Sequence, residues 1–116
     1  MHQFITYKGK EILYADYSGC KSMDEMMTVL ESSSQVLINH PDKLLILINY
    51  EGAYASMDYM KRAKRMSAET HHKVAKRAII GMTEIQAILL KTFNRFAKDK
   101  AYAFKTKEQA LEFLIS

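Results

Sequence analysis

The chain has 116 residues, 48% of them hydrophobic and 26% charged, with a formal net charge of +4. That is the length of one domain, spanning 1–116, with enough apolar content to build one core, which excludes a disordered chain. A single cysteine, Cys20, excludes an internal disulfide framework, and no apolar run nears the ~20 residues that a bilayer-spanning helix needs.

The start, Met1 to Tyr7, has no charged end followed by a long apolar run, so a signal peptide is not expected and cytoplasm is the expected location. Phe4 to Tyr7 and Glu11 to Tyr17 are rich in β-branched and aromatic residues and read as two strands. They are joined through Lys8-Gly9-Lys10, where glycine supplies the positive φ of a tight hairpin. Ser22-Met23-Asp24-Glu25 then has the spacing of a capping box. Met23, Met26, Met27, Leu30, Leu37 and Ile38 follow as the inner stripe of a helix. Pro41 disfavours helical backbone at the residue before it, so that helix ends near His40.

Leu44 to Tyr50 is a continuous apolar run of strand length, suited to a central strand covered on both faces. Ser56 caps a second helix, with Asp58 in its first turn. Its expected inner stripe is Met57, Met60, Ala63, Met66, Thr70 and Val74, which leaves Lys61, Arg62, Lys64 and Arg65 outside. Ala78 to Gly81 reads as a short buried strand, and Thr83 to Gln86 as another capping box. The expected inner face of the third helix is Ile85, Ile88, Leu89, Thr92, Phe93 and Phe96. Ala101 to Phe104 is a last strand, and Thr106 caps a last helix carrying Ala110, Leu111, Phe113 and Leu114. The order β-β-α-β-α-β-α-β-α predicts an α/β domain of roughly two layers, with a mostly parallel five-stranded sheet and an antiparallel first hairpin.

Chemistry in such sheets gathers beyond the carboxyl ends of the strands. Those ends include Asn49-Tyr50-Glu51-Gly52, with Tyr54 close behind, and Gly81-Met82-Thr83. Ser56 and Thr83 lie at helix N-termini, where an anion can be held. Each hydroxyl reads first as a helix cap and second as an anion site, with Ser56 also a phosphoacceptor. From Lys61 to Arg77 seven cations stand against one anion, Glu69. This basic segment reads as a solvated helix surface or as a face for an acidic partner. Nucleic acid is not expected, since no recognition motif accompanies it.

No catalytic set, cofactor or metal is expected. Adjacent His71 and His72 point about 100° apart on a helix and do not converge on one ion. Cys20 reads as a small buried thiol, and Asp24 and Glu25 as helix-capping acids. Phosphate-loop, dinucleotide and nucleophile-elbow motifs are all missing. The eight methionines read as core filling, or as the lining of an apolar pocket between the first two helices and the sheet.

The hairpin Phe4 to Tyr17, the strands Leu44 to Tyr50 and Ala78 to Gly81, and the close Phe104-Lys105-Thr106-Lys107-Glu108-Gln109-Ala110-Leu111-Glu112-Phe113-Leu114 together resemble the STAS domain, in particular its SpoIIAA-like branch. The resemblance implies a sheet wound with helices as a β-α superhelix. It also implies a role in regulation, through binding an anti-sigma-type protein or sensing a ligand. Sporulation-type antagonists carry Asp-Ser-Ser/Thr-Gly after the central strand, with a phosphorylated serine. That motif is absent here, and Ser56 stands in for it by position alone. The expected function is a non-enzymatic regulatory or protein-interaction module that presents the 50–56 loop and the basic helix. The alternative is a small apolar-ligand or lipid-binding domain. Oligomeric state is not legible.

Overall fold

A computed structural model describes residues 1–54, 56–95 and 100–116. The elements are β1 (His2–Tyr7), β2 (Lys10–Asp16), α1 (Met23–Asn39), β3 (Leu44–Asn49), α2 (Met57–Thr70), a short 3-10 turn (His71–Lys73), β4 (Val74–Ile80), α3 (Glu84–Asn94), β5 (Ala101–Phe104) and α4 (Lys107–Ile115). The five strands lie side by side in chain order. β1 and β2 are antiparallel, and every later pair is parallel. The hairpin turns on Lys8 and Gly9, both with positive φ (48° and 81°), as a two-residue turn of primed type requires.

Local signals set the helix starts. The Glu25, Tyr59, Gln86 and Gln109 amides donate to the hydroxyls of Ser22, Ser56, Thr83 and Thr106. At α3 the Gln86 side chain also accepts from the Thr83 amide at 2.9 Å, completing a reciprocal capping box. α1 ends one residue before His40, whose backbone is extended ahead of Pro41.

Alternate residues of a strand face opposite sides of its sheet, and here both sides are covered. Leu13, Ala15 and Ile46 face α1, with Leu37, Met26, Val29 and Leu30 packed on them. Ile12, Tyr14, Leu47, Ala78 and Ile80 face α4 and meet Ala110, Leu111 and Leu114. Chain-order strands joined by right-handed crossovers put α1, α2 and α3 on one face, and α4 returns to cover the other. The build is therefore three layers and not the two expected, because the last helix crosses back after β5. α4 is tied to the hairpin by the Tyr7 hydroxyl and the Lys8 ammonium, both on Glu112 at 2.6 Å. Lys76 adds to this hold at the C-terminal end of α4, donating to the Phe113 and Ser116 carbonyls.

Several stripes differ from expectation. β4 is longer than the apolar run suggested and takes in Val74, Lys76 and Arg77. Arg77 is buried and donates to the Ser67 hydroxyl, while Lys76 faces α4. The basic segment is thus divided, and four of its cations, Lys61, Arg62, Lys64 and Arg65, remain exposed on α2. The inner face of α2 is Tyr59 and Thr70, with Ala63 and Met66 half-buried. Met57 (74% exposed) and Met60 (45%) lie outside it. In α1, Ile38 is exposed too.

The reversal is largest in α3. Its expected inner residues Ile85, Ile88 and Leu89 are 73%, 62% and 63% exposed, while Gln86, Ala87, Leu90 and Asn94 are half-buried. Asn94 fixes that orientation, because its amide donates to the Ala101 carbonyl (2.6 Å) and accepts from the Ala101 amide (3.2 Å). The side chains of Thr92 and Phe93, and all of Phe96, lie outside the described residues.

Candidate functional site

The carboxyl ends of the parallel strands meet at one edge of the sheet and form an open cleft of about 510 Å³. Its walls come from Tyr14 (β2), Asn49 and Glu51 (the end of β3 and its turn), Ile80 to Thr83 (the turn into α3), and Lys105 and Lys107 (the turn into α4). A second, smaller cleft of about 240 Å³ lies along β4 and β5, lined by His71, Arg77, Lys100, Tyr102 and Phe113 among others.

The larger cleft is held rigid by short links between the strand ends. The Tyr17 amide donates to the Asn49 carbonyl and the Tyr50 amide to the Ile80 carbonyl, each at 2.9 Å. The Asn49 side chain works in two directions, accepting from the Glu51 amide (2.9 Å) and donating to the Tyr14 hydroxyl (3.0 Å). Gly81 (φ 83°) lets the α3 turn lie against Glu51, since a Cβ there would stand 2.3 Å from the Glu51 nitrogen. The Lys107 ammonium lies 4.8 Å from the centroid of the Tyr14 ring, a cation–π distance that fixes both.

On the opposite face of the sheet, between α1 and α2, Tyr17, Tyr50 and Tyr59 form an aromatic cluster. The Tyr17 and Tyr50 rings are 4.8 Å apart, and the Tyr50 and Tyr59 hydroxyls are 2.9 Å apart. Burial pushes all three phenols above the ordinary tyrosine value, with Tyr50 adding to the effect at Tyr17, and Tyr50 and Tyr17 adding to it at Tyr59. At Tyr17 and Tyr50 the buried Arg77 guanidinium acts in the opposite direction. These tyrosines serve the core, and ionising them would strain it.

The structure brings some of the residues singled out from sequence together and separates others. Asn49, Glu51 and Thr83 share the cleft. Ser56 does not line it; at the start of α2 its hydroxyl caps the Tyr59 amide and lies 3.9 Å from the Met23 sulfur. Tyr50 turns inward to its cluster, whereas Tyr54 is exposed and anchored by its amide to the Cys20 carbonyl (2.9 Å). Cys20 is buried, and burial raises its thiol. Arg62 pairs with Asp58 at 3.8 Å. Met23, Met27 and Met66 pack on the α1-side core. Sequence reasoning missed Tyr14, Lys105 and Lys107. The rule that pointed to Asn49 and Thr83 applies equally to the end of β5, where Lys105 and Lys107 flank the helix cap Thr106.

Five of the exposed large apolar residues lie on α2 and α3. Met60, Lys64 and Ser67 lie on one stripe of α2, and Ser67 contacts Arg77 of the strand that leads into α3. Met57 and Met60 sit in the first turns of α2, and Ile85, Ile88 and Leu89 in the first half of α3. Both helices start at the carboxyl edge of the sheet, and the α2 cations share a helix with Met57 and Met60.

No family model and no curated protein matches the chain. Among solved structures it is similar to an uncharacterised protein of the DUF3478 family with a SpoIIAA-like fold from Shewanella loihica. The TM-score is 0.78 at 16% sequence identity, over 98% of this chain and 92% of that one. No described helix is long and apolar enough to cross a membrane. Strand order, crossovers and this likeness agree with the resemblance read from the sequence: the chain has the SpoIIAA-like fold.

Proposed function

We propose that the protein is a non-enzymatic regulatory module that binds another protein through the surface formed by α2, the start of α3 and Tyr54. The observation that carries this reading is the exposure of Met57, Met60, Ile85, Ile88 and Leu89, five large apolar side chains on two helices that begin at the same edge of the sheet. A contiguous apolar surface bordered by charge is the usual form of a protein contact site. Lys61, Arg62, Lys64 and Arg65 beside it suit a partner with acidic groups around an apolar centre, and set the rate and orientation of docking. A partner of anti-sigma type is consistent with the fold. Ser56 serves as a helix cap in this reading, and no phosphorylation is required.

The test is affinity capture from the cells that make the protein, comparing wild type with Met60→Glu, with Ile88→Asp, and with the triple change of Lys61, Arg62 and Arg65 to Glu. The expected result is one protein retained by the wild type and lost by all three folded variants, with the charge-reversed variant restored at low salt least of all. Retention by all three, or no protein above the empty-tag control, refutes the reading.

A further inference from the structure

The cleft at the strand ends shares no lining residue with the proposed protein-contact surface and has a chemistry of its own. Lys105 and Lys107 both line it, and neither has a carboxylate partner among the described residues, whereas Lys8 and Arg62 each have one. The Tyr14 side chain is nine-tenths buried. Its one described hydrogen-bond partner, the Asn49 amide, is a donor, so the phenol uses its oxygen there and keeps its own proton for an acceptor. Asn49 in turn has a second amide hydrogen beyond the one given to Tyr14. Two helices begin at the rim, α3 of 11 residues and α4 of 9, and both bring the positive ends of their dipoles. The cleft thus gathers two cations, two hydrogen-bond donors and two helix N-termini around one space. Glu51 is the single carboxylate in its lining, on the β3 side.

We propose that this cleft binds a small phosphate-bearing molecule. The phosphate lies between Lys105 and Lys107 and accepts from the Tyr14 hydroxyl and the Asn49 amide. Glu51 accepts from a hydroxyl or amine elsewhere on the same molecule. A volume near 510 Å³ suits a metabolite-sized ligand. The donors are fixed before the ligand arrives, by the Asn49–Tyr14 bond and the Lys107–Tyr14 contact, so little ordering accompanies binding.

The experiment is a titration of the isotope-labelled full chain with inorganic phosphate, followed through its amide resonances, against sodium chloride at matched ionic strength. The expected result is a saturable shift confined to the amides of the Asn49–Glu51, Gly81–Thr83 and Lys105–Glu108 segments. Lys105→Gln and Lys107→Gln should each weaken the apparent affinity about tenfold, and Tyr14→Phe should weaken it with the fold unchanged. A response no larger than chloride's overturns the proposal, as does one that survives both lysine changes. Phosphate binding and partner capture are read on different variants, so either proposal can fail alone.

Discussion

Gly81 and Gly52 allow one interaction to be weighed by itself. Both have positive φ, 83° and 65°, so an alanine at either meets the same backbone penalty of about 1–2 kcal/mol. They differ in what surrounds them. A Cβ at Gly52 meets nothing within 4 Å, whereas one at Gly81 would stand 2.3, 2.7 and 2.8 Å from the nitrogen, Cα and Cβ of Glu51. Carbon contacts are comfortable near 3.5–4.0 Å, so the overlap exceeds an ångström. The Glu51 backbone is not free to retreat, since its amide is held by Asn49 and the preceding amide by Ile80. Overpacking of this kind costs about 1–3 kcal/mol. Gly52→Ala is therefore expected to lose roughly 1–2 kcal/mol and Gly81→Ala roughly 2–5 kcal/mol. Urea unfolding of the two variants and wild type measures this, provided the slopes stay equal. Equal losses at the two sites would refute the idea that the α3 turn is seated on Glu51. If the larger loss is found, Gly81→Ala should also weaken phosphate binding, because the seat it disturbs is a wall of the cleft.

Tyr17 and Tyr59 are buried and held above the ordinary tyrosine value of about 10, so they resist ionisation only while folded. A raised folded value means stability is intact below about pH 10 and is lost as pH rises above that toward the folded value, at up to about 2.7 kcal/mol per pH unit from these two phenols, with Tyr50 adding to the slope. Urea unfolding at stepped alkaline pH should show this slope, and Tyr59→Phe should reduce it by up to about 1.4 kcal/mol per pH unit. Normal titration of both phenols with the fold intact would contradict their burial. Asn94→Ala removes both bonds to Ala101 and should cost about 1–3 kcal/mol in urea unfolding; a loss indistinguishable from zero would mean α3 is held elsewhere. Ile85→Asp, on an exposed position, should change stability by less than about 0.5 kcal/mol. Ser56→Ala should cost about 1 kcal/mol as a lost helix cap, and a neutral result would free that hydroxyl for another role.

The elements that carried their own local signal were legible in the sequence. Gly9 marks the hairpin, Ser22, Ser56, Thr83 and Thr106 mark four helix starts, and the run from Leu44 reads as a strand covered on both sides. What the sequence left open was which way a helix faces. In α3 the apolar spacing of Ile85, Ile88 and Leu89 names a stripe but not the side on which the sheet lies. The choice is made by Asn94, whose amide pairs with a strand seven residues on. In α2 the buried position that the sequence missed is Tyr59, placed by its hydroxyl contact with Tyr50, and a tyrosine within a basic helix gives no such sign. The cleft was half legible. The strand-end rule reached Asn49, Glu51 and Thr83, but Tyr14 reads as an ordinary alternating strand residue until β3 and α4 are placed beside it.

Every strand in the sheet neighbours its predecessor in the chain, so each strand pairing closes a single hairpin or a single crossover. The cleft is the exception, for it joins Tyr14 near one end of the chain to Lys105 and Lys107 near the other. It exists only once the first hairpin and the last helix have both found the central strands. An anion held there touches the chain at both extremes and would stabilise the finished fold over any partly formed one by mass action. Such a ligand would act as a latch on the whole molecule, and its loss would be felt first in the seating of α4.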